Sequence, residues 1–215
     1  MKIGVFDSGI GGVSVVRAIE KALPEAEIIF MNDKKNVPYG TKSPELLLTL
    51  VEPILHKLAD DGCDVIVVAC NTVSTTLIEQ LRGVIKIPLV AMEPMVKPAA
   101  EMTKSGVIAV CATKNTLSSK RYAWLKKTYA DGVKVLEPDC TNWATMIESN
   151  FIDIETVNKQ IDDVCLEGAD VIVLGCTHFH WIEDIVREAA AGRATVLQPE
   201  QPVITQLKKV IEQLS

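Results

Sequence analysis

Short β-branched apolar runs alternate along this chain with longer stretches in which apolar residues recur at helical spacing. The runs predict strands at Lys2–Phe6, Glu27–Asn32, Val65–Ala69, Leu89–Ala91, Gly106–Val110, Lys134–Leu136, Val171–Gly175 and Thr195–Leu197. Between them Gly12–Lys21, Glu45–Asp60 and Asn158–Leu166 read as helices. Val65-Ile66-Val67-Val68 shows no polar alternation. Such a strand is buried on both faces, as in a parallel sheet covered by helices. The pattern therefore predicts an α/β architecture.

An internal repeat organises the layout. Gly62-Cys63-Asp64-Val65-Ile66-Val67-Val68-Ala69-Cys70 aligns without gaps on Gly168-Ala169-Asp170-Val171-Ile172-Val173-Leu174-Gly175-Cys176. The openings also correspond, Ile3-Gly4-Val5-Phe6 with Ser105-Gly106-Val107-Ile108. Two similar α/β halves are the simplest reading. In both, a buried strand ends at a cysteine, and parallel sheets bind ligands beyond the carboxyl ends of their strands. If the halves face each other, Cys70 and Cys176 point into one cleft from opposite sides.

A single cysteine is more often a small buried hydrophobe than a reactive group. Two at matched strand ends, followed by Asn71-Thr72 and by Thr177-His178, read as a reactive pair, because the neighbours can tune a thiol or hold a carboxylate. Cys63, Cys111, Cys140 and Cys165 lack that setting and read as structural. The turn Asp7-Ser8-Gly9-Ile10-Gly11-Gly12 enters a helix and offers N–H groups to an anion, or is simply a capped turn. It has neither dinucleotide-fingerprint spacing nor a P-loop lysine. His178 is suited to orient or protonate a group beside Cys176, and His180 reads as a surface or lid residue. A zinc site from Cys176, His178 and His180 would leave the first half without a role, so no metal is expected. The loop Val37-Pro38-Tyr39-Gly40-Thr41-Lys42-Ser43 either contacts a substrate through its hydroxyls or is only a turn.

Composition narrows the class. A hydrophobic content of 48% with 23% charged residues is that of an ordinary globular protein. The net charge of −6 argues against a nucleic-acid partner. No apolar run is long enough to span a bilayer and the N-terminus carries no targeting pattern, so a cytoplasmic location is expected, with no membrane partner. Disulfides are not expected in that compartment.

Together these motifs resemble the glutamate racemase family, within the wider aspartate/glutamate racemase group. The matching segments, in the family's order, are Asp7-Ser8-Gly9 with Gly11-Gly12, Val37 to Ser43, Cys70-Asn71-Thr72, Glu93-Pro94, Thr113 to Tyr122 and Gly175-Cys176-Thr177-His178. The resemblance implies catalytic thiols at Cys70 and Cys176, supported by Asp7, His178 and Glu148, the last eight residues after Cys140. It implies substrate contacts at Asp7, Ser8, Tyr39, Gly40, Asn71, Thr72, Thr116, Thr177 and His178, with glutamate as substrate and no cofactor.

The fold it implies is two similar α/β domains with largely parallel sheets, pseudo-twofold related, with the active site in the cleft between them. The first would comprise 1–96 plus 198–215 and the second 97–197. A homodimer is left open. Three departures stand out: the chain ends soon after the helix beginning near Gln201, Leu197-Gln198-Pro199-Glu200 replaces a segment that usually reads like Ile-Asp-Ser-Gly, and Thr141-Asn142-Trp143 follows Cys140. Other readings are a racemase for aspartate or a hydantoin, a non-catalytic glutamate-binding regulatory module, and a thiol redox protein, against which the absence of CxxC counts.

Overall fold

Eight strands form where the apolar runs lie, and they divide into two four-stranded sheets in a computed structural model that describes residues 1–214. The first sheet contains β1 (Lys2–Asp7), β2 (Glu27–Asn32), β3 (Val65–Val68) and β4 (Leu89–Ala91) in the order β2-β1-β3-β4. The second contains β5 (Val107–Cys111), β6 (Lys134–Leu136), β7 (Val171–Leu174) and β8 (Thr195–Leu197) in the order β6-β5-β7-β8. All six pairings are parallel. The two sheets therefore share one topology, and β3 and β7, the strands of the sequence repeat, hold the same place in each.

The repeat's polar residues have matching physical causes. Gly62 and Gly168 follow long helices with φ of 83° and 98°, the left-handed conformation that ends a helix and that glycine adopts without steric cost. Asp64 then accepts a hydrogen bond from the Lys2 N–H at 2.7 Å, and Asp170 accepts from the Lys104 and Ser105 N–H groups at 2.7 and 2.8 Å. Each aspartate ties the start of its strand to the chain entering the neighbouring strand. The four residues that follow are fully buried in both halves, as continuous apolar strands require.

The register corrects one part of the sequence alignment. Ile3 pairs with Val65 and Ile108 with Val171. Ile3–Phe6 is thus equivalent to Ile108–Cys111, three residues later than the openings suggested. The helix expected at Asn158–Leu166 begins earlier, at Ile154, because the Asp153 side chain accepts from the Thr156 N–H at 3.1 Å and caps it there.

The last helix, Glu200–Leu214, follows β8 but packs on the other sheet. Val203, Ile204 and Leu207 are buried with Ile3, Val5, Val15, Val67 and Val90. The helix Trp143–Glu148 is anchored by Trp143, which lies edge-on to Phe179 with ring centroids 4.9 Å apart. The Trp143 indole N–H donates to Gln160 Oε1 at 2.8 Å, satisfying its one polar atom. Among the described residues, no helix is long and apolar enough to cross a membrane.

Candidate active site

Both cysteines of the repeat lie just beyond their strands and face one cavity. Cys70 follows β3 and opens the short helix Asn71–Thr76, while Cys176 follows β7 and opens the 3-10 turn Thr177–Ile182. The cavity is walled by Ser8, Tyr39, Gly40, Cys70 and Thr72 from the first half, and by Cys176, Thr177 and His178 from the second. Its volume is about 20 Å³, room for about one water molecule. A larger hollow of about 420 Å³, lined by Arg82, Lys97, Arg121 and Gln206 among others, contains neither thiol.

On the first side, Cys70 donates its S–H to Ser8 Oγ at 3.5 Å. Burial, followed by the charge of Asp7, pushes the Cys70 thiol up to about 12, against the opposing effects of its bonds to Ser8 and the Val73 N–H. Asp7 ends β1 and is fully buried. Burial raises its carboxyl above the ordinary value, partly offset by His178, by the Gly9 N–H at 2.8 Å and by the Thr177 hydroxyl, which donates to it at 2.8 Å. Asn71 donates to the Met92 carbonyl, and its Oδ1 is buried without a partner.

On the second side, His178 Nδ1 sits 3.9 Å from the Cys176 sulfur and Nε2 sits 2.6 Å from Glu148 Oε1. Burial alone would lower the histidine, but the sulfur and the carboxylate together hold it up, to about 10. Burial would likewise raise Glu148, yet its bonds to His178 and to the Ile10 N–H at 2.8 Å keep it below the ordinary carboxylate value. Glycine at position 9 is what allows this approach, since a Cβ there would fall 1.9 Å from Glu148 Oε1.

The expected residues thus divide by depth. Ser8, Tyr39, Gly40, Cys70, Thr72, Cys176, Thr177 and His178 line the cavity, while Asp7, Asn71, Thr116 and Glu148 stand behind them. Tyr39 turns its hydroxyl to Asp33 Oδ2 at 2.6 Å, which together with burial raises it. Thr116 is fully buried and accepts from the Thr113 hydroxyl at 3.0 Å.

Thr113, absent from the expected set, bonds Thr72 across the cleft at 2.9 Å and lines the cavity with Lys114 and Thr141. The repeat carried the signal once the register is known. Phe6 pairs with Val68 and Cys111 with Leu174, so Ser8 and Thr113 each stand two residues past equivalent positions.

His180 is not a surface or lid residue. Its side chain is 3% exposed, with Nδ1 facing Ser14 Oγ at 3.2 Å and Glu200 Oε1 at 3.3 Å. The helix Gly12–Ala22 and the N-terminal end of the last helix cover it, which the sequence spacing did not reveal. Cys176, His178 and His180 consequently do not converge, and among the described residues no group of three His, Cys, Asp or Glu side chains is placed to hold a metal ion.

The sequence profile of Asp/Glu/Hydantoin racemase matches residues 3–207. A glutamate racemase of Herpetosiphon aurantiacus is 36% identical over 213 residues, 97% of this chain and 84% of that protein. The glutamate racemase of Pseudomonas aeruginosa is 35% identical over 214 residues, 97% of this chain and 81% of its own. Among solved structures, Escherichia coli glutamate racemase in complex with L-glutamate and the activator UDP-MurNAc-ala superposes with a TM-score of 0.91 at 25% identity, covering 98% of this chain and 82% of that one. The Bacillus anthracis glutamate racemase isoform RacE1 gives 0.85 at 28% identity, covering 99% and 82%.

Proposed function

The chain belongs to the Asp/Glu/hydantoin racemase family and is a racemase, and from that premise we propose that it interconverts L- and D-glutamate without a cofactor, by proton transfer between Cys70 and Cys176. The observation that carries this reading is the pair of thiols at matched strand ends, one from each half, lining one cavity. Inverting an α-carbon requires removal of a proton from one face and delivery of another to the opposite face. Two opposed sulfurs, one thiolate and one thiol, meet that requirement with no change in total proton count.

The two thiols have different neighbours. Cys70, pushed up to about 12, is a thiol and a proton donor. Cys176 sits 3.9 Å from the Nδ1 of His178, whose pKa is raised, so that the ring when protonated is placed to stabilise a thiolate. The resemblance to glutamate racemases assigns the L-isomer to Cys176, which as a thiolate takes the α-proton while the Cys70 thiol delivers its own to the other face. The reverse direction starts from the exchanged protonation state, with Cys70 taking the proton of the D-isomer.

Glu148 holds His178 in place and charged. Asp7 fixes the Gly9 turn and Thr177. Ser8, Tyr39, Gly40, Thr72 and Thr177 are the substrate contacts on the wall, where hydroxyls and N–H groups spread the developing charge. Asn71 and Thr116 support them from behind.

On the same reading 1–96 plus 198–215 and 97–197 are the two α/β domains that flank the site, and Ser215 lies outside the described residues. D-glutamate for peptidoglycan, made in the cytoplasm, is the role that glutamate racemisation would serve.

The test is incubation with L-glutamate in D2O, following the α-proton by NMR and inversion by optical rotation. Exchange accompanied by racemisation is expected. Saturable binding with no exchange sinks the glutamate assignment, and the same assay with aspartate then decides whether the substrate is the shorter diacid.

A further inference from the structure

We propose that Asn115 is a positioning residue that latches the loop Tyr39–Lys42 across the cleft and so governs how glutamate enters and is held. The inference rests on the reading above, because the loop carries Tyr39 and Gly40. Asn115 belongs to the short helix Lys114–Ser118 of the second half, directly after the Thr113 cap. Its side-chain Nδ2 donates to the Tyr39 carbonyl at 3.0 Å and to the Lys42 carbonyl at 2.7 Å. Its backbone N–H donates to the Gly40 carbonyl at 3.0 Å. One residue of the second half thus satisfies three carbonyls within four residues of the first.

The loop's base belongs to its own half. Asp33 holds the Tyr39 hydroxyl and Asn36 on one side, and Ser43 caps the helix Pro44–Asp60 on the other. Its crown is fixed from across the cleft. Gly40 is pressed so closely on Thr113 that a Cβ at position 40 would lie 2.8 Å from the threonine Cβ. With the crown down, the cavity has a volume of about 20 Å³, too little for an amino diacid. Lifting the crown, which carries Tyr39 and Gly40 in the cavity wall, makes room and breaks the bonds to Asn115. Reclosure remakes them and returns Tyr39 and Gly40 to the cavity wall. A side chain with two donor hydrogens on one nitrogen is suited to this, since it can serve two carbonyls at once.

The discriminating substitution is Asn115→Asp, which keeps the shape and the backbone bond to Gly40 but removes the two side-chain donors. Amide hydrogen exchange is read first, without glutamate. Exchange at residues 39–42 should rise about tenfold or more, with the sheets unchanged. In the racemisation assay KM should rise about tenfold while kcat stays within about twofold, the pattern of an interaction made equally in ground and transition states. Unchanged exchange at 39–42 in a folded variant overturns the latch, and so does a fall in kcat at constant KM. Asn115→Ala carries the same measurements if the aspartate variant fails to fold. A wild type that does not racemise glutamate overturns the function, while the exchange result still decides the latch.

Discussion

His178 Nε2 lies 2.6 Å from Glu148 Oε1, and the same carboxylate oxygen accepts the Ile10 N–H at 2.8 Å. A residue thirty positions before the histidine thus adds to the raising effect of Cys176 on its pKa and at the same time joins the two halves of the molecule.

Replacing Glu148 by Gln should bring the His178 imidazole down from about 10 toward its ordinary value of 6.5. The sign follows from linkage. A histidine raised in the folded state contributes stability that is complete below pH 6.5 and is lost as pH rises through about 10. The melting temperature of the wild type should therefore fall across that window, and the Gln variant should show a flatter curve. Titration of the His178 ring protons by NMR checks the direction, and an unshifted midpoint would refute the assignment.

Cys70→Ala and Cys176→Ala should each lower racemisation by about a thousandfold or more, as loss of a positioned acid or base does. Near-native melting is expected in both, because each side chain is small. If either variant retained wild-type optical inversion, proton transfer between the two sulfurs would be excluded.

Gly9→Ala should disturb the site more than the fold. The new Cβ would meet Glu148 Oε1 at 1.9 Å and His178 Nε2 at 2.7 Å, so the pair must shift. A displacement on this scale costs about a hundredfold in rate. The check is kcat/KM beside circular dichroism. Full activity would mean that the pair's position is not critical.

Trp143→Ala should destabilise by about 3–5 kcal/mol, the usual cost of emptying a large buried aromatic site. The loss includes the edge contact with Phe179 and the hydrogen bond to Gln160. Because the same short helix ends at Glu148, the variant should also lose activity at temperatures where it remains folded. Urea denaturation with unchanged slope, alongside the racemase assay, separates the two effects.

Much of the fold was legible because its signals are local. Continuous apolar strands, helix-ending glycines and strand-tying aspartates recur in Gly62–Cys70 and Gly168–Cys176, and each works through its near neighbours. That repeat alone placed Cys70 and Cys176 at equivalent strand ends. Tertiary structure decided what depends on the two halves meeting. It set the Thr72–Thr113 contact, the turn of Tyr39 toward Asp33, the burial of His180 between two helices and the three bonds from Asn115 to the opposite loop. None of these has a sequence period, because hydrogen bonds between segments far apart in the chain are fixed by how two surfaces fit. The sequence determined which groups the molecule has for its chemistry, and packing determined their protonation and their reach.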